Sequence, residues 1–149
     1  MKKPIFTVVA GLLVVFLGIQ LVPVQRTNPP VVTQVNWDSP QTKSLTQRAC
    51  MDCHSNQTIW PWYSYVAPFS WLISQDVNRG RRALNFSDLS TNSFRISRAT
   101  QRMGEIVLSG RMPPAQYLLT HPAAKLTPDE QQALISGLQK TLSGTLTNR

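Results

Sequence analysis

The sequence predicts a mainly α-helical domain behind a single N-terminal transmembrane helix. Three observations predict it. An apolar run opens the chain, and apolar side chains then recur at helical spacing in several later stretches. No stretch alternates apolar and polar residues as a half-buried strand would.

The first element is residues 1–25. Met1-Lys2-Lys3 precedes Ile5 to Val24, which is nearly all apolar, with Thr7, Gly11, Gly18, Gln20 and Pro23 as interruptions. About twenty helical residues at a rise of ~1.5 Å cover about 30 Å, the thickness of a hydrocarbon core. The lysines favour an N-terminus kept in the cytoplasm, so the rest of the chain emerges on the periplasmic side of the cell inner membrane. A cleaved signal peptide is the competing reading, although the run is long for one and no A-x-A-like site follows it. Both readings put the remainder outside the cytoplasm.

Residues 26–43 carry Pro29, Pro30 and Pro40 and read as a semi-stiff tether, with Val31, Val32 and Val35 as a possible strand-like piece. The domain proper spans residues 44–149. It opens with a short helix from Ser44 to Cys53, which sets Leu45, Ala49 and Cys53 on one face.

That helix ends in Cys50-Met51-Asp52-Cys53-His54, a C-x-x-C-H pattern. Such a pattern attaches haem c covalently. Two thiols at this spacing can each add to a vinyl group of the porphyrin, and the histidine that follows can bind the iron from the proximal side. A thioredoxin-like redox pair would want a strand–helix unit around the cysteines, and nothing here reads as one. A zinc site needs about four ligands, and the chain offers Cys50, Cys53, His54 and His121 without a second paired cluster. Both cysteines lie in the one motif, so no structural disulfide is available.

Next comes Ile59-Trp60-Pro61-Trp62-Tyr63-Ser64-Tyr65-Val66-Ala67-Pro68, a loop or single turn by its prolines. Trp60, Trp62 and Tyr63 are candidates for packing on the haem, and an indole N–H can also reach a propionate. Pro68 suits the first position of a helix to about Leu84, striped by Phe69, Leu72, Ile73 and Val77. Of Arg79, Arg81 and Arg82 near its end, Arg81 is the chosen propionate partner, since a guanidinium fork matches a carboxylate. Asn92 or Ser93 caps a helix to about Ser109, with Ile96, Ala99, Met103 and Ile106 inward and Gly110 as its stop.

Arg111-Met112-Pro113-Pro114 follows, where two prolines forbid helix and stiffen the backbone. Met112 is therefore the preferred distal iron ligand, ahead of His121 and Met103; Met51 is too close to His54 to reach the far face. The last helix is announced by Thr127-Pro128-Asp129-Glu130, a capping box with proline in first place, and Leu134, Leu138 and Leu142 mark its buried stripe.

The stretch from Cys50 onward also resembles the bacterial family of small haem-binding domains built around C-x-x-C-H. The resemblance is carried by Cys50 to Asn56, Trp60-Pro61-Trp62-Tyr63, Ala67-Pro68 with Ser70-Trp71, Gly80-Arg81-Arg82 with Leu84-Asn85-Phe86-Ser87, Met112-Pro113-Pro114 with Tyr117, and His121-Pro122. It implies one covalent haem c on Cys50, Cys53 and His54, a fold similar to class I cytochrome c, and a role in electron transfer. Leu89 and Gly137 depart from it, standing where tryptophans are expected, and Ala115 stands where an aromatic is common.

The expected function is a membrane-tethered carrier of single electrons; a haem sensor or ligand-binding module with an open or displaceable distal site is the alternative. An enzyme is not expected, because peroxidase-like chemistry wants a distal His or Arg beside an open iron. The net charge of +8 suits acidic redox partner proteins or anionic lipid headgroups. Nucleic acid is excluded as a partner, since the arginines are not interleaved with stacking aromatics.

Overall fold

A computed structural model describes residues 2–89 and 93–147, and the side chains of 4–89 and 93–145. Among the described residues the elements are helices and no strand: α1 (Lys2–Gln20), α2 (Pro40–Ala49), α3 (Met51–His54), a 3-10 turn (Trp62–Tyr65), α4 (Phe69–Ala83), α5 (Ser93–Leu108), α6 (Ala115–Thr120), a 3-10 turn (Pro122–Ala124) and α7 (Pro128–Thr147). The mainly α expectation therefore holds. Asn92, a proposed cap for α5, lies outside the described residues.

The chain divides into two compact units, residues 1–27 with 59–76, and residues 28–58 with 77–149. In the first, α1 exposes its apolar side chains, Phe6, Leu12 and Val14 among them. Its end is pinned to the aromatic loop by a reciprocal amide pair. The Ala67 N–H donates to Gln20 Oε1 at 2.9 Å, and Gln20 Nε2 donates to the Ala67 carbonyl at 3.3 Å. Arg26 donates to the Ser64 carbonyl and lies over the Tyr65 ring.

The expected transmembrane helix over residues 1–25 is not supported. Among the described residues, no helix is long and apolar enough to cross a membrane. The helix stops at Gln20, before Pro23, rather than continuing to Val24.

The second unit holds the core: Leu45 and Ala49 of α2, Phe86, Leu89, Ile96 of α5, Leu126, and Leu134, Leu138 and Leu142 of α7. α7 packs against both α2 and α5. Gly137 explains one departure from the family pattern. A Cβ there would run into the Thr42 side chain of α2, so a side chain of any size would force the two helices apart. The capping box of α7 forms as expected, with Glu130 N–H on Thr127 Oγ1 at 3.2 Å and Thr127 N–H on Glu130 Oε2 at 2.9 Å.

The proline-rich stretch is laced to this unit rather than solvated throughout. Val32 and Thr33 N–H both donate to the Ser87 carbonyl, at 2.8 and 3.0 Å, and Trp37 packs on Phe86 with ring centroids 5.6 Å apart. Pro40, placed in the tether by its composition, instead opens α2: Ser39 caps the helix by accepting from Thr42 N–H.

Candidate functional site

The motif sits where the backbone breaks between two helices. Cys50 leaves α2 with φ −129°, and its carbonyl then accepts from Cys53 and His54 N–H, closing the single turn α3. The helix expected to run unbroken from Ser44 to Cys53 is thus split at Cys50. The turn is held from below by Ser55 Oγ donating to the Met51 carbonyl and by Phe86 N–H donating to the His54 carbonyl.

α4 passes directly behind the motif. A Cβ on Gly80 would collide with the Cys53 carbonyl, so only glycine permits this approach. The close crossing brings the end of α4 under His54, whose Nδ1 lies 2.9 Å from the Leu84 carbonyl. Burial holds the His54 imidazole below its ordinary pKa, against the opposing pull of the Leu84 and Gly80 backbones. A neutral ring facing a carbonyl must carry its proton on Nδ1, which leaves the Nε2 lone pair available to a metal.

His54 and Cys50 line a cavity of about 400 Å³, within the range of small-molecule and cofactor sites. Leu84, Phe86, Ile106, Leu134 and Leu138 give it an apolar interior. Two thioethers also line it, those of Met103 and Met112. Met112 is delivered there by the turn that ends α5. Gly110 adopts φ +69°, and Arg111 and Met112 N–H both return to the Ile106 carbonyl. The Cys50 thiol is pushed up to about 12, first by burial and then by Cys53, and both cysteines are free thiols.

Two other sequence candidates stand elsewhere. His121 does not line the cavity: its ring stacks on Tyr117 with centroids 4.0 Å apart, and its Nδ1 lies 3.2 Å from the Tyr117 carbonyl. Arg81 does not line it either. Its Nε donates to the Ser55 carbonyl at 2.7 Å, and its Nη2 to Thr58 Oγ1 and Asn28 Oδ1. It braces the loop after the motif. Trp60, Trp62 and Tyr63 belong to the first unit and are not among the cavity's lining residues; Trp62 is 78 % exposed and meets Tyr63 edge-on.

Sequence reasoning missed two features. Besides Arg82, one of the three α4 candidates, the cavity's arginines are Arg95, Arg98 and Arg102 of α5. Their spacing of three and four residues was visible, but only the fold shows that this face of α5 lines the same cavity as His54. The second is Tyr117, whose hydroxyl donates to Asp52 Oδ2 at 2.7 Å and ties α6 to the middle of the motif. Burial, and then the Asp52 carboxylate, raise the Tyr117 pKa, so it acts as a fixed donor.

An apolar cavity lined by a free thiol, an imidazole whose Nε2 is available and two methionines fits a haem by the chemistry of its donors. Fold and site together define a small helical haem-binding protein. The chain belongs to the haem-binding domain family, whose family model matches residues 14–140. No curated protein and no solved structure matches it. Among the described residues, no group of three or more His, Cys, Asp or Glu side chains is placed to hold a metal ion, which leaves the zinc reading without a site.

Proposed function

We propose that the protein is a monohaem c-type cytochrome that carries single electrons. Cys50, which lines the cavity, and Cys53, three residues on, would each add S–H across one vinyl group, giving two thioethers without any oxidant or reductant. His54 Nε2 would hold the iron on the proximal side. Met112 would hold the distal side, with Met103 rather than His121 as the second candidate, because Met103 shares the cavity. The bound haem supplies an iron that gains and loses one electron, with a potential raised by thioether ligation.

The observation that carries this reading is His54, neutral and oriented by the Leu84 carbonyl beside Cys50 in the cavity. The surrounding groups support a carrier over an enzyme. Among the described residues that line the cavity there is no carboxylate and no histidine besides His54; arginines are present, but with Met112 also in the lining an iron held by His54 would have a thioether in reach rather than the open side that peroxidase-like chemistry needs. The packing of α7 on α2 is in keeping with a class I cytochrome c-like arrangement.

Covalent haem attachment would suit a domain outside the cytoplasm, and the exposed apolar side chains of α1 suit attachment to a lipid surface. Redox partners would be acidic proteins, matching the basic surface.

The test is expression of the full chain with a cytochrome c maturation system, read by alkaline pyridine haemochrome spectrum and intact mass. The expected result is one haem per chain that resists acid–acetone extraction. Haem that extracts, or a mass equal to the bare polypeptide, refutes the reading. A second reading, a sensor or ligand-binding module, is favoured by one fact: Met112 is 40 % exposed on a turn and so displaceable. Ready binding of carbon monoxide by the reduced protein would select it.

A further inference from the structure

The cavity raises a charge question that the haem ligands do not answer. Among the described residues its lining includes four arginines and no carboxylate. The titratable and charged groups that face it are Cys50 and His54 from the motif, Arg82 from α4, and Arg95, Arg98 and Arg102 from α5; α7 presents only Leu134 and Leu138. The α5 carboxylate that could pair with a neighbour, Glu105, is engaged with Arg111 at 2.6 Å.

The four arginines are not equivalent. Arg82 and Arg95 also line a smaller neighbouring cavity together with Asp88. Arg98 and Arg102 do not; Arg98 also lies over the Phe94 ring, 5.7 Å from its centroid, a neutral contact that leaves its charge uncompensated. They stand four residues apart on α5, on one face of the helix and one turn apart. Like charges at this spacing repel, so the arrangement lowers the stability of α5 unless an anion sits between or across them. A ligand that satisfies this wall and the apolar interior together is an apolar disc with two carboxylate arms.

We propose that Arg98 and Arg102 hold the two propionates of the haem, so that the porphyrin's carboxylate edge lies at the α5 wall of the cavity. The inference rests on the haem reading above and adds to it an orientation and a role for α5. Guanidinium forks bind carboxylates in two-point pairs. Both side chains are exposed, so the propionates lie at the mouth and the vinyl-bearing body of the ring lies inward, toward Cys50. A pair of cations at the ring edge also favours the added electron, and it keeps both propionates ionised.

The experiment uses the full haem-loaded chain and reads its reduction potential against pH, for wild type, R98Q/R102Q and R79Q. Arg79 is an exposed arginine on α4 that does not line the cavity, so R79Q removes charge without touching the site. Carboxylates held by arginine titrate below their ordinary value of about 4, so the wild-type potential should be flat from about pH 5.5 to 8. R98Q/R102Q should lower the potential and, as the released propionates return toward their ordinary value, introduce a pH-dependent segment when the titration is carried down to about pH 4, where wild type stays flat and R79Q tracks it.

R98Q/R102Q behaving like R79Q overturns the inference. Should the double variant fail to load haem, the wild type decides. Its propionate bending band in the resonance Raman spectrum should not move across the same pH range, and a band that moves overturns the inference. A wild type without thioether-bound haem overturns this inference together with the reading beneath it. A loaded wild type with an insensitive double variant overturns this inference alone.

Discussion

Replacing Gly80 with alanine adds a single methyl group where α4 crosses behind the motif. In most exposed helical positions this change stabilises, by about 1 kcal/mol, because alanine loses less backbone freedom on folding. Here the new Cβ would collide with the Cys53 carbonyl and press on its Cβ, 3.1 Å away. Those atoms are backbone or next to it and cannot swing aside as the tip of a long side chain can. Overpacking of this kind costs about 1–3 kcal/mol, and more when backbone must move.

Setting about 3 kcal/mol of strain against about 1 kcal/mol of helix gain leaves a net loss of about 2 kcal/mol. For a domain of this size that is a fall of roughly 8 °C in Tm. Moving α4 outward also draws the Leu84 carbonyl away from His54 Nδ1, so haem attachment should fall with stability. The matched control is Gly104→Ala in α5, whose Cβ would meet only Ile135 Cγ2 at an ordinary 3.6 Å. It should raise Tm by a few degrees. Thermal unfolding by circular dichroism and haem content per chain, measured on both variants, decide the matter. A Gly80→Ala protein as stable and as fully loaded as wild type would refute the close crossing and the orientation of His54 built on it.

Four further outcomes are expected. Tyr117→Phe removes the hydroxyl that donates to Asp52 Oδ2, and a hydrogen bond to a charged group is worth about 1.5–3 kcal/mol; urea titration should show a midpoint reduced accordingly, with an unchanged m-value. Thr127→Ala removes the α7 cap and should cost about 1 kcal/mol by the same titration. Glu130 is held below the usual carboxylate range, first by the Thr127 backbone N–H and then by Arg48. Its contribution is therefore complete above the unfolded value of about 4.3 and is lost as the pH falls through the lower folded value. A Glu130→Gln protein should show less loss of stability on acidification than wild type. Met112→Ala should abolish the weak sulfur-to-iron band in the red part of the oxidised spectrum; a band that survives in this variant but disappears in Met103→Ala would move the distal ligand to α5.

Much of the helical layout was legible because its signals are local. The stripe of Leu134, Leu138 and Leu142 and the Thr127–Glu130 box specify α7 within one stretch of chain, and the structure has both. Short elements were not legible: α6 has six residues, too few for a period to register. The tether misled because prolines in sequence report stiffness, not what the backbone is paired with. Val32 and Thr33 find the Ser87 carbonyl from more than fifty residues away.

The N-terminal run is a related case. Its hydropathy extends to Val24, but the helix ends at Gln20, where a side-chain amide pairs with the Ala67 backbone. Arg81 and Arg98 show the same limit among charged residues. A guanidinium can serve a propionate or a loop carbonyl, and sequence cannot tell which acceptor it meets.

The sequence by itself determined the chemistry on offer: two thiols and an imidazole within five residues, helices at fixed periods, and a basic chain. These follow from covalent spacing and from the 3.6-residue period, which act over a few neighbours. Only the tertiary structure decided which long-range partners meet that chemistry. It put the Leu84 carbonyl on His54, the Gly80 face of α4 on Cys53, two thioethers in the cavity, and α5 rather than Arg81 at the cavity wall. Such contacts depend on how helices cross, and a crossing is set by the summed shape of many side chains rather than by any one motif.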